Sequence, residues 1–183
     1  MKDIQALQSK LVLLIGTTGA GKSTILRQLA IRHSTRVLNV GADLGKRLAA
    51  LPMRDRRLQA KEILRNLAEE SASEDLLLLD NLELLFDQTL RLDPLDLLKR
   101  YAHAQRVVAV WPGEICQGRL TYAEMGHPEY KDYNLEGLVA FPVELGSGVW
   151  TFAESRIPRI GHDIFCNIPF QDVCNWCVAD LLT

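Results

Sequence analysis

The sequence predicts an α/β fold built on a mostly parallel sheet with flanking helices. Three observations predict it. Short apolar runs recur without interruption: LVLLI at 11–15, LLLL at 76–79 and VVAV at 107–110. Unbroken hydrophobicity marks strands that are covered on both faces, the usual condition of a parallel sheet. Segments with apolar residues at helical spacing separate these runs. Strands alternating with helices in one chain make right-handed crossovers between parallel strands the natural architecture.

Composition sets the limits. The chain has 183 residues, 48% hydrophobic and 24% charged, with a formal net charge of -2. Those proportions exclude a disordered chain and give enough apolar surface for a self-supporting core. One domain over 1–183 is expected, with 114–183 its irregular β-rich and helical C-terminal part. The near-neutral charge argues against nucleic-acid binding by bulk positive charge. The four cysteines are too few for a disulfide scaffold. The opening stretch MKDIQALQSK is polar and mixed, and the apolar runs are too short to cross a bilayer. A protein without membrane association, in the reducing cytoplasm, is the expectation.

The elements follow in order. Residues 11–15 form the first strand, which ends in glycine. Residues 22–33 read as a helix with Ile25, Leu26, Leu29 and Ala30 on one face. A second strand covers 36–40 and ends at Gly41. Leu44, Leu48 and Leu51 space a short helix that stops before Pro52, and Asp43 is its expected cap. A charged helix spans 55–70, burying Ala60, Ile63, Leu64, Leu67 and Ala68. Residues 76–80 are the third strand. Asp93-Pro94 places an N-cap before a proline at the first helical position, opening a helix to about residue 103. Residues 106–110 form the fourth strand, broken by Trp111-Pro112-Gly113. Beyond it, short strands are expected at 119–122, 138–143 and near 149–152. A closing helix over 171–182 would carry Val173, Cys174, Cys177, Val178 and Leu181 on one side.

The stretch between the first strand and the first helix carries chemistry. Gly16, Thr17, Thr18, Gly19, Ala20, Gly21, Lys22 and Ser23 match G-x-x-x-x-G-K-[ST] in full, in the strand-to-helix context that the motif requires. Glycines let the backbone wrap tightly, so that successive N–H groups can point at phosphate oxygens. The helix adds its positive N-terminal end. Lys22 would reach the β- and γ-phosphates, Ser23 would place its hydroxyl on Mg2+, and Thr24 follows within the binding segment. The fold class thereby narrows to a P-loop NTPase, with ATP and Mg2+ as the expected ligands. No N-K-x-D string marks guanine, so the base is left open.

Asp80 ends an apolar strand at its carboxyl end, where ligands of open α/β sheets bind. With the phosphate loop upstream, it is the expected Mg2+ partner of Ser23. The strand and helices between the two motifs fit an additional-strand ATPase layout, in which the 106–110 strand separates the loop strand from the Asp80 strand. Many such ATPases place a glutamate directly after the aspartate to polarise the attacking water. Here that residue is Asn81, which can orient water but cannot take its proton. Glu83 is the nearest glutamate and the alternative water activator. A polar residue would be usual at the tip of the middle strand; Trp111 stands there and reads as packing.

The segments LLLLDNLELLF, LDPLDLL, VVAVWPG and LTYAEMGHPEY resemble the P-loop ATPase-like BrxF family of type-3 BREX phage-defence systems; WPG and TYAEMGHPEY are the distinctive strings, since the phosphate loop is shared by a vast superfamily. The resemblance runs over about 11–130. It implies a bacterial cytoplasmic component of antiviral defence. Such a component would work beside a DNA adenine methyltransferase, a phosphatase-like protein, a helicase and a larger ATPase, as a homo- or hetero-oligomer whose contact with DNA is indirect. It carries Lys22, Ser23 and Asp80 over as nucleotide and Mg2+ residues.

Other features have plainer readings. Arg54, Arg56, Arg57, Lys61 and Arg65 form a solvated helix face balanced by Asp55, Glu62, Glu69 and Glu70. Arg100, Arg119, Arg156 and Arg159 are the candidates for an arginine delivered to a neighbouring subunit's site. His127-Pro128-Glu129 reads as a turn rather than a metal site. Cys174 and Cys177 read as core rather than half a zinc site. Three functions compete: an ATPase coupled to assembly or DNA action, a nucleotide-gated adaptor with little turnover, and a small-molecule kinase. The missing glutamate after Asp80 favours the adaptor over the ATPase; the long insertion before Asp80 disfavours the kinase.

Overall fold

The computed structural model describes residues 10–73, 76–135 and 138–143. Five strands form a parallel sheet: β1 (Leu11–Ile15), β2 (Val37–Asn39), β3 (Leu76–Asp80), β4 (Arg106–Val110) and a later strand, β8 (Val139–Pro142). Their order is β2-β3-β4-β1-β8. The strand that delivers Asp80 is therefore one strand removed from the strand that leads into the glycine-rich loop, with β4 between them. That is the arrangement the insertion between the two motifs predicts.

The unbroken apolar runs have a direct cause. Successive strand residues point to opposite faces, and both faces are covered. Leu11, Leu13, Ile15, Leu77, Leu79, Val107 and Ala109 share one core layer with α2 (Val40–Ala49), α3 (Met53–Ser71) and α4 (Pro94–Ala104). Val12, Leu14, Leu76, Leu78, Val108 and Val110 join Leu26 and Leu29 of α1 (Lys22–Arg32) on the other. Each leucine fully withdrawn from water contributes about 2 kcal/mol, so the two layers together hold the sheet.

The helix stripes follow the predicted spacing. In α1 the buried residues are Leu26 and Leu29, with Ile25 and Ala30 partly covered. In α3 they are Ala60, Leu64, Leu67, Ala68 and Ser71, and the helix begins at Met53, directly after Pro52. Helix α4 has the expected cap: the Asp93 side chain accepts from the Asp96 N–H at 2.9 Å, with Pro94 at the first position.

Three boundaries and one cap differ from the sequence expectation: α3 begins at Met53 rather than 55, and α2 ends at Ala49, which leaves Leu51 outside it. The second strand stops at Asn39, and Val40 already belongs to α2. The cap of α2 is Asn39, whose Oδ1 accepts from the Ala42 N–H at 3.0 Å. Asp43 instead sits in the first helical turn and pairs with Arg36 at 3.0 Å. A carboxylate is favourable there against the helix dipole, but its position is one turn too late to cap.

After β4 the chain builds a second, antiparallel sheet of three strands, β5 (Glu114–Cys116), β6 (Arg119–Tyr122) and β7 (Lys131–Asn134), in that order. Only β6 was readable from the sequence. Strands of three or four residues carry too few positions to show a period. The strand expected at 138–143 is β8, which returns to pair with β1. The strand expected near 149–152 and the helix expected at 171–182 lie outside the described residues, as do Arg156, Arg159, Cys174 and Cys177.

Trp111 is packing, as read. It is fully buried, its indole N–H donates to the Thr121 carbonyl at 2.8 Å, and its ring meets Phe86 and Tyr133 edge-on. The indole pins the small sheet onto the tip of β4. Gly113 completes this joint, because a Cβ there would overlap the Thr121 carbonyl.

Candidate functional site

The loop between β1 and α1 is shaped by its glycines. Gly19 and Gly21 adopt positive φ, 83° and 92°, where a side chain would be strained. Gly16 is needed for close approach: a Cβ there would overlap the Val143 carbonyl, because the Val143 N–H donates to the Ile15 carbonyl where β8 runs out beside the loop. Within the loop the Ala20 N–H donates to the Thr17 carbonyl at 3.2 Å. Ala20 itself is buried in the core layer beneath. Gly21 stands at the N-cap of α1 and has no side chain to cap it. The Thr24 N–H donates to the Gly21 carbonyl at 2.9 Å, and no side chain caps the first turn, which lies at the positive end of the helix.

Lys22 folds back over this loop. Its ammonium donates to the carbonyls of Gly16, over a short contact, and of Thr17, at 2.9 Å. Partial burial pushes its pKa below the ordinary lysine value, while the negative charges of Asp80 and Glu83 push it up. Asp80 and Glu83 line the same cavity as the lysine.

Asp80 lies at the end of β3, level with Asn39 of β2. Its Oδ1 accepts from the Asn81 N–H at 3.0 Å. Asn81 turns the chain sharply, with φ 54° and ψ 60°. Asparagine tolerates this left-handed conformation better than most residues. The Asn81 carbonyl accepts from the Gly41 N–H at 2.9 Å, which ties the turn to the start of α2. The bend opens directly into a 3-10 helix, Leu82–Phe86, whose first turn carries Glu83. Leu82, Leu85 and Phe86 anchor that helix in the core, so Glu83 is held on the outer side.

These residues share one cavity of about 850 Å³. Gly16, Thr17, Thr18, Gly19, Ala20, Gly21, Lys22, Ser23 and Thr24 line it, together with Asp80, Asn81 and Glu83. Every site residue singled out from the sequence therefore reaches the same space. Trp111 does not line it. The sequence reading missed the opposite wall, which comes from the β4 tip and the small sheet: Pro112, Gly113, Glu114, Ile115, Thr121, Ala123 and Glu124. No motif announces that wall, because it is created by how the second sheet docks. Arg27 was missed too, although its four-residue spacing from Ser23 in a helix was a usable signal.

The arginines considered for delivery to a neighbour are engaged within this chain where they are described. Arg100 pairs with Asp96 at 2.8 Å, and Arg119 pairs with Asp132. The basic face of α3 is likewise balanced: Arg65 lies 3.8 Å from Glu62 and 3.7 Å from Glu69, and Arg54 lies 3.7 Å from Asp55. At the 120–130 segment the Glu129 N–H donates to His127 Nδ1 at 3.1 Å, closing a turn. Among the described residues no helix is long and apolar enough to cross a membrane.

Comparison with protein-family models, with curated proteins and with solved structures returned no match. The class that the geometry defines is an α/β protein with a five-stranded parallel sheet and a glycine-rich loop at the carboxyl end of its fourth strand in sheet order.

Proposed function

We propose that the chain is a P-loop NTPase that binds ATP with Mg2+ and hydrolyses it slowly. The observation that supports this reading is the meeting of Lys22, Ser23, Asp80 and Glu83 on one cavity at the open N-terminus of α1. The loop amides and Lys22 would hold the β- and γ-phosphates. The donor set suits magnesium: a serine hydroxyl and a carboxylate are hard oxygen ligands, and Asp80 has one oxygen left beyond the Asn81 amide. When bound, the ion would offset phosphate charge. Glu83 is the residue able to take a proton from water, and Asn81 the one able to orient it.

Within this reading the chain is a cytoplasmic, oligomeric component of a BREX-type antiviral defence system, working with a methyltransferase, a phosphatase-like protein, a helicase and a larger ATPase. The support is the resemblance of its LLLLDNLELLF, LDPLDLL, VVAVWPG and LTYAEMGHPEY segments to the BrxF family, the last two being the distinctive ones.

A second reading is favoured by one specific feature. Asn81 occupies the position after Asp80 and cannot act as a base. A nucleotide-gated adaptor with little turnover would need only the binding half of the site.

The test is ATP binding and phosphate release by the unmodified chain and by Lys22→Ala. Binding that is lost in Lys22→Ala, with release above its background, supports the ATPase. Binding without release above that background selects the adaptor. Tight ATP binding retained by Lys22→Ala refutes both.

A further inference from the structure

We propose that Arg27 is a second binding cation for the polyphosphate tail, supplied by this chain to its own site. The proposal rests on the nucleotide reading above.

Three observations carry it. Arg27 lies four residues after Ser23 in α1, so the two side chains fall on one face of the helix, and both line the same cavity. Its side chain is exposed, and among the described residues it makes no ion pair, whereas Arg36, Arg47, Arg65, Arg100 and Arg119 are each paired with a carboxylate. An arginine facing an acidic cavity without a carboxylate partner is free to meet an incoming anion.

The third is the charge of the cavity. Its walls carry the carboxylates of Asp80, Glu83, Glu114 and Glu124 against the two cations Lys22 and Arg27. A triphosphate with one magnesium is still anionic, and the acidic wall opposes it. Lys22 offers a single compact charge. The guanidinium adds a planar fork of donors that matches phosphate oxygens two at a time. Arg27 therefore supplies from within the chain the cation that the sequence reading sought from a neighbour.

The experiment measures ATP affinity, in the presence of magnesium, for the unmodified chain and for Arg27→Ala at low and at high salt. Thermal midpoints without nucleotide verify that the exposed substitution leaves the fold intact. Loss of a charge-assisted contact should weaken low-salt binding by about tenfold or more. That gap should narrow as salt rises, because salt screens an exposed charge. Equal affinities at low salt overturn the proposal. So does a gap that salt leaves unchanged, which would place Arg27 against the nucleoside by packing. Absence of ATP binding by the unmodified chain overturns the nucleotide reading itself, and this inference with it.

Discussion

The indole N–H of Trp111 donates to the carbonyl of Thr121 at 2.8 Å, with the indole fully buried and Thr121 nearly so. Thr121 in turn donates from its hydroxyl to the Glu114 carbonyl at 3.1 Å. The first bond sets the small antiparallel sheet against the tip of β4 and the second ties β6 to β5 within it; together they place the wall of the cavity that this sheet provides. Trp111→Phe keeps most of the apolar contact but leaves the Thr121 carbonyl unsatisfied. We expect a loss of about 1–3 kcal/mol in stability, the cost of an unpaired buried polar group. Urea unfolding followed by circular dichroism checks it.

Gly16→Ala tests the junction of β8 with the loop. The new methyl group would overlap the Val143 carbonyl, which is backbone and cannot rotate away. Relief requires β8 or the loop to shift, at about 1–3 kcal/mol. The variant should unfold at lower urea concentration and bind ATP more weakly than the unmodified chain. An unchanged midpoint would mean that β8 does not run beside the loop.

Glu83→Gln separates the two functional readings at the level of one proton. Glutamine keeps the size and hydrogen-bonding capacity of the side chain but cannot accept a proton from water. If Glu83 is the base, phosphate release should fall by about 100-fold or more, with ATP affinity largely kept. Release that is equal in both proteins points to Asn81 as the water-orienting group, or to the adaptor. Single-turnover phosphate release measures this.

Alkaline pH should expose Tyr101. Burial, opposed by the Arg65 charge and aided by that of Glu69, pushes its hydroxyl up to about 12. An unfolded tyrosine ionises near pH 10, as a rule. Between those values the unfolded chain gives up the proton first, so the folded state loses stability as pH rises from about 10 to 12. Below pH 10 the contribution is fully present. The Tyr101 hydroxyl has no hydrogen-bond partner among the described residues, so Tyr101→Phe should fold well and flatten the decline. Tyr133, also raised by burial and by Asp93, would leave a residual slope. Thermal midpoints across that pH range provide the check.

Local patterns in the chain were enough for the loop and the Asp80 strand, and the insertion between them for the place of β4, but not for the places of β2 and β8 in the sheet. A glycine must stand where φ is positive or where backbone approaches backbone, and a strand covered on both faces must be apolar throughout. Such requirements act within a few residues, so they are written in consecutive positions: Gly16 to Ser23, and Leu76 to Asp80. Glu83 was legible as a candidate, but its place on the cavity depends on the left-handed turn at Asn81, which redirects the chain within one residue. The cap of α2 lies one turn before Asp43, at Asn39, because the helix already begins at Val40 and Asn39 takes the Ala42 amide hydrogen.

The far wall and Arg27 belong to another category. Glu114, Thr121 and Glu124 reach the cavity because Trp111 and Gly113 seat a separate sheet on β4. That placement comes from contacts between residues far apart in the chain, and three-residue strands carry no pattern that foretells it. Spacing could put Arg27 on the face of Ser23, but that no carboxylate pairs with it among the described residues could be known only from the packed chain. Short-range backbone demands are recorded in sequence; the meeting of distant side chains is a property of the packed molecule.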